Sequence, residues 1–282
     1  PVVNQNPRTF LARSDSRYDI IHIENWGTTL PGSSVLTQDY FFTIESFIQY
    51  FKHLSDNGIL IVPRFLLLPP SDAIRLWASA YESLRFLEIK NPEKHIAVLR
   101  NWNTFTMIVS AQPFNDTAML QNIARNLNFD MIYVPGISKK NANRFNIFDA
   151  PFHYIEISRL EEAYRSKAEK IYFDNYPMDV LPQTDNRPFP YRFLKWSRLK
   201  ALYKMTGSRF YSLFMSGEIV VSVVLIEALG ISILLLMLPL FAILKETREF
   251  YFSHMLYFLA VGSGFMFIEL FFIKEYIFIF CV

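Results

Sequence analysis

The chain carries one cysteine, Cys281, and five histidines in 282 residues. A lone cysteine excludes a disulfide framework and any zinc cluster built on thiolates. The histidines, at positions 22, 53, 95, 153 and 254, have no ligand-like spacing, so no metal site is expected. Charge is also scarce. Asp, Glu, Lys and Arg together make up 19% of the chain, and the formal net charge is +2. That balance argues against a dedicated nucleic-acid binder. What the chain has in excess is apolar: 51% hydrophobic and 17% aromatic residues. Such a composition excludes disorder for most of its length and calls for a search for membrane segments.

The apolar excess is concentrated near one end. Residues up to about 210 mix charged and apolar positions as a water-soluble domain does. From Ile219 to Leu244 there is one charge, Glu227; from Met255 to Ile273 there is again one, Glu269. At about 1.5 Å per residue, each run can cross or nearly cross a hydrocarbon core of roughly 30 Å. Two transmembrane helices are therefore expected at about 219–244 and 255–276, with the lipid bilayer as partner. Basic residues crowd ahead of the first run, at Arg192, Lys195, Arg198, Lys200, Lys204 and Arg209. Positive residues favour the cytoplasmic side and suit anionic headgroups. The expectation is an integral membrane protein, of a bacterial inner membrane, with its polar domain in the cytoplasm. A carboxylate within a membrane is costly. Glu227 and Glu269 thus face a polar interior shared with further helices, or sit shallow enough to reach water. The chain starts at Pro1 without Met and stops within apolar sequence, and it reads as a fragment whose partners include missing parts of the same protein.

The soluble part reads as alternating strands and helices. Tyr18 to Glu24 is a β-rich run ending in an acid, and a loop with Gly27, Pro31 and Gly32 follows. Thr37 can cap the next helix, whose apolar residues Ile44, Phe47, Ile48, Phe51 and Leu54 have helical spacing. Asp56-Asn57-Gly58 should stop it. Ile59 to Val62 has the continuous apolar character of a buried parallel strand. A helix opens after Pro69-Pro70-Ser71, strands are expected at 95–99 and 105–109, a helix at 118–126 and a strand at 130–134. That order is the second half of an open α/β sheet, which binds ligands beyond the carboxyl ends of its strands. A polar irregular loop (138–146), a charged solvated helix (159–172) and an ordered extended linker with four prolines (177–190) complete this part. The expected domains are 1–150, the sheet; 151–216, charged helix and Pro-rich basic linker; and 217–282, the membrane helices.

The run PRTFLARSDSRYDIIHIE, the LTQDYF helix start and the NGILIV strand resemble the spermidine synthase family of polyamine aminopropyltransferases. The segments YPMDVLPQTDNRPFPYRFLKW and GSGFMFIELFFIKEYIF resemble its membrane-fused branch. The resemblance implies a partial Rossmann-like, methyltransferase-type sheet followed by transmembrane α-helices. It also implies decarboxylated S-adenosylmethionine or S-adenosylmethionine as cofactor, no metal, and a small-molecule amine acceptor. By the same resemblance the catalytic acid falls on Glu24, which would accept a proton from the attacking amine. The adenine-contacting Asp falls on Asn6, and Asn25 is a second cofactor contact. The family's second acid falls on Gly27 and its usual Gln on Pro63. Trp26, a pocket residue or simple packing, borders the substrate pocket with Gly27. The glycine-rich loop and ribose-binding acid would belong to strands ahead of Pro1. Three functions follow as expectations: a membrane-anchored aminopropyltransferase-like enzyme, a catalytically degenerate scaffold or transport-associated module that keeps the fold, and a methyltransferase at the membrane. The surviving Glu24 favours the first. The lost acid at Gly27 and the intramembrane carboxylates favour the second.

Overall fold

The computed structural model describes residues 4–24, 27, 33–206, 217–247 and 252–280. The chain divides into two units. One contains Leu11–Val221; the other contains Pro1–Phe10 and Ser222–Val282.

The short helix α1 (Pro7–Ala12) leads to strand β1 (Tyr18–His22). Helix α2 (Ile44–Lys52) then returns the chain to strand β2 (Leu54–Phe65), which runs parallel to β1. Thr43, not Thr37, caps α2: its hydroxyl accepts the Ser46 N–H. The Thr37 N–H instead closes a turn onto the Ser34 carbonyl at 3.0 Å. Phe47 and Ile48 fill the buried face. Asp56-Asn57-Gly58 does not stop this helix. It lies inside β2, where three extra residues bulge between the pairs Tyr18–Leu54 and Ile20–Ile59. The bulge brings backbones together: a Cβ on Gly58 would stand 2.8 Å from the Tyr18 carbonyl oxygen. Only glycine fits such an approach.

Helix α3 (Asp72–Phe86) follows as expected, with Ile74, Trp77, Ala78 and Leu84 fully buried. Strands β3 (Ile96–Arg100) and β4 (Thr104–Ser110) form a hairpin, helix α4 spans Ala118–Asn126, and strand β5 spans Asp130–Tyr133. The strand order is β1-β2-β4-β3-β5, with every pair after β1–β2 antiparallel. The fold is thus α/β on a mixed five-stranded sheet. All five residues of β3 are buried, so helices must cover both faces. Ala97 and Leu99 pack with Ala124, Met131 and Val134 on the α4 side; Ile96 and Val98 alternate to the other face.

The stretch 151–221 belongs to this same folded unit. The charged helix expected at 159–172 is two helices, α5 (Phe152–Arg165) and α6 (Glu169–Asn175). They are broken at Lys167, whose φ is +56°. Nor is the pair solvated throughout. Ile157, Leu160, Tyr164 and Phe173 are buried, and Tyr164 stacks on Tyr81 of α3 at 4.2 Å between ring centres. The proline-rich stretch after α6 is a strap laid across the domain. Arg75 of α3 sits beneath it and donates to the carbonyls of Asp179, Phe189, Pro190 and Arg192. Burial drags the Arg75 pKa down to about 10, still well above neutral, so the charge remains. The strap also binds the start of α2. The Asp185 carboxylate accepts from the Thr43 hydroxyl at 2.8 Å, and the Gln183 carbonyl accepts the Ile44 N–H at 2.8 Å. Arg187 pairs with Asp179 inside the strap itself.

Helix α7 (Leu199–Thr206) follows the strap, and two long helices come last, α8 (Gly217–Thr247) and α9 (Phe252–Phe280). Both contain windows long and apolar enough to cross a membrane, Gly217–Leu235 and Leu256–Ile273, with mean hydropathy 2.4 and 2.0. Arg209 and positions 248–251 of the expected hinge lie outside the described residues.

Candidate functional site

In a parallel strand pair the natural place for chemistry is beyond the carboxyl ends, because the chain leaves both strands there through loops. Here those ends are Ile23-Glu24 after β1 and Arg64-Phe65 in β2. The Ile23 N–H still bonds to the Ile61 carbonyl at 3.0 Å, so the ladder holds up to the residue before Glu24. Glu24 is exposed. His22, the last residue of β1, is exposed as well. Asn25 and Trp26 lie outside the described residues.

Gly27 carries the main surprise. Its φ is +78°, and a Cβ built on it would stand 2.8, 2.9 and 3.0 Å from Cζ, Nη1 and Nη2 of Arg64. Gly27, on which the resemblance places a second acid, therefore lies directly on a guanidinium. Arg64 itself is 1% exposed. Its Nε donates to Asp72 Oδ2 at 2.7 Å, and Nη1 donates to the Tyr191 hydroxyl at 3.4 Å. Its guanidinium carbon lies 4.5 Å from the centre of the Phe42 ring and 5.3 Å from that of Tyr191. Burial works against this charge, but the Asp72 carboxylate and Tyr191 outweigh it and hold the Arg64 pKa above its ordinary value. Asp72 is the first residue of α3, where a carboxylate also meets the positive end of the helix.

Arg64 and Asp72 were not anticipated from the sequence. A signal existed: an arginine closing an apolar strand, with an acid eight positions on at a Pro-Pro-Ser helix start. A charged residue leaving the end of a buried strand needs a partner, and a helical first turn can supply one. Pro63, on which the resemblance places a glutamine, is buried in β2 opposite Thr106.

The Asn6 amide oxygen accepts the N–H groups of Arg8 at 3.0 Å and Thr9 at 3.4 Å, capping α1. An oxygen engaged twice by backbone donors is not the acceptor that an adenine amino group needs. Asn25, the other assigned contact, is outside the described residues.

A second buried charge cluster explains the loop at 138–146. Asp130 accepts N–H groups from Arg144, Phe145 and Asn146 and pairs with Arg100 at 3.2 Å. This carboxylate organises backbone. In the membrane-length helices, Glu227 lies about 10 Å along the axis from Val220, and Glu269 about 20 Å from Leu256. Both are exposed on their helices.

No family model and no curated protein matches the chain.

Proposed function

We propose that this chain is a membrane-anchored, non-catalytic module with a spermidine synthase-like fold, serving as a scaffold or as part of a transport system. The observation that carries this reading is the contact between Gly27 and Arg64. A polyamine acceptor is a cation and needs carboxylates around it. Here the second acid is absent, and a buried guanidinium fills the volume its side chain would enter. The engaged oxygen of Asn6 points the same way. The sheet is compatible with the resemblance: a parallel pair continues into a reversed strand inserted ahead of its own hairpin partner. The basic residues ahead of α8 favour an inner-membrane protein with its α/β unit on the cytoplasmic side.

The transferase reading keeps one argument, the exposed carboxylate of Glu24 at the end of β1. Calorimetry and product analysis on the full-length protein separate the two. The proposal expects no heat with S-adenosylmethionine or its decarboxylated form, and no aminopropyl or methyl transfer to amines. Turnover that disappears in Glu24→Gln would overturn it.

A further inference from the structure

We propose that Trp196, Lys200, Tyr203 and Lys204 form a docking surface for the anionic phospholipid face of a bilayer. The segment begins as a tight turn at Trp196–Arg198 and continues directly into α7. At roughly 100° per residue, positions 196, 200, 203 and 204 fall on one side of such a helix. All four are exposed, Trp196 at 58% and Tyr203 at 57%. Leu202 points the opposite way and is fully buried, so the stripe is the outward side of this helix.

Neighbouring cations have other work. The Lys195 ammonium donates to the carbonyls of Phe173 and Tyr176, and Arg198 donates to the Asp174 carbonyl. Both close the carboxyl end of α6. Lys200 and Lys204 are left on the stripe beside two amphipathic rings. That pairing suits the headgroup layer, where a ring can bury its body and keep its polar edge wet while ammonium groups meet phosphates. Residues 217–221 at the start of α8 belong to the same compact unit as α7. The inference rests on α8 and α9 crossing that bilayer.

The test uses the full-length protein in vesicles containing brominated lipid, which quenches tryptophan at the membrane surface. Trp196→Phe isolates the signal of this ring from the other tryptophans. In vesicles with phosphatidylglycerol, the wild type should be quenched clearly more than Trp196→Phe. The difference should shrink in pure phosphatidylcholine and in Lys200→Gln/Lys204→Gln. Each lysine is expected to change the docking preference about fivefold. Equal quenching in both lipids, or none at Trp196, would overturn the stripe while alkaline extraction still leaves the protein in the membrane. Release by alkaline extraction would overturn the spanning helices and the stripe together.

Discussion

Arg64 and Asp72 form a 2.7 Å ion pair in which the side chains are 1% and 5% exposed. A pair this dry adds little relative to well-packed apolar residues, but losing one partner strands a charge. Asp72→Ala should therefore destabilise the full-length protein by about 3 to 5 kcal/mol. The joint replacement Arg64→Met/Asp72→Leu should cost much less than the sum of the single changes. Denaturant unfolding in detergent, followed by circular dichroism, measures both. Additive costs would mean that the two charges are not coupled.

Gly27 should tolerate no side chain while Arg64 is held in place. Its φ of +78° disfavours any L-residue with a Cβ, and the guanidinium blocks the space. Gly27→Ala is expected to cost about 1 to 3 kcal/mol. In an Arg64→Met background the steric part of that cost should fall, leaving the backbone part. Gly27→Asp, which places an acid where the resemblance to spermidine synthases would have one, should be worse than Gly27→Ala in stability and should not create polyamine binding. Unfolding midpoints and calorimetry with spermidine or putrescine check the two statements separately.

Much of the sheet was legible because hydrophobic period and turn residues act locally. The Pro-Pro-Ser start of α3, the strands expected at 95–99 and 105–109 and the helix at 118–126 all lie within about one residue of where spacing placed them. The misreadings share one cause: long-range partners. Asp56-Asn57-Gly58 has the composition of a helix stop, yet it is drawn into a bulge by pairing with β1. The helices at 152–175 carry many charges, yet one side packs on α3 through Tyr164 and Phe173. The prolines at 177–190 announced an extended segment, but not that Arg75, a hundred residues earlier, would bind it through four carbonyls. At the candidate site Glu24 sits at a strand end, as its position after the β-rich run required. Arg64 could not be foreseen beside Gly27, because that contact depends on how two strand ends and a loop converge.

His153 should make the protein sensitive to acid. Its side chain is 2% exposed and its Nε2 lies 3.1 Å from the Leu67 carbonyl. Burial pulls its pKa down to about 3, with Arg100 adding to the effect. The unfolded chain binds a proton on this group below about pH 6.5, while the folded protein does not until near pH 3. Stability is therefore lost as pH falls through that window, by up to about 5 kcal/mol. Glu82, Glu156 and Glu161 oppose this: burial raises their pKa values, so protonating them favours the folded state. Comparing wild type with His153→Gln from pH 7 to 4 isolates the histidine. The variant's unfolding free energy should fall less steeply on acidification, and parallel curves would show that His153 is not the sensor.

Glu218 should hold the strap to the first turn of α8. Its Oε1 accepts the N–H groups of Phe193 at 2.6 Å and Leu194 at 2.9 Å, and the residue is buried. Two backbone donors with no other acceptor would each cost about 1 to 3 kcal/mol if abandoned away from water. Glu218→Ala removes the acceptor and should destabilise the α/β unit by about 2 to 5 kcal/mol. Glu218→Gln keeps an oxygen of similar reach, so it should retain much of the stability while losing the charge near Arg75. The difference between the two variants distinguishes acceptance of hydrogen bonds from the longer-range attraction between the carboxylate and Arg75. If Glu218→Gln were as damaging as Glu218→Ala, charge would be the dominant contribution. Limited proteolysis gives a local readout beside the global one. Cleavage within residues 177–194 should accelerate in Glu218→Ala and stay near the wild-type rate in Glu218→Gln, because the strap is released only when its N–H groups lose their acceptor.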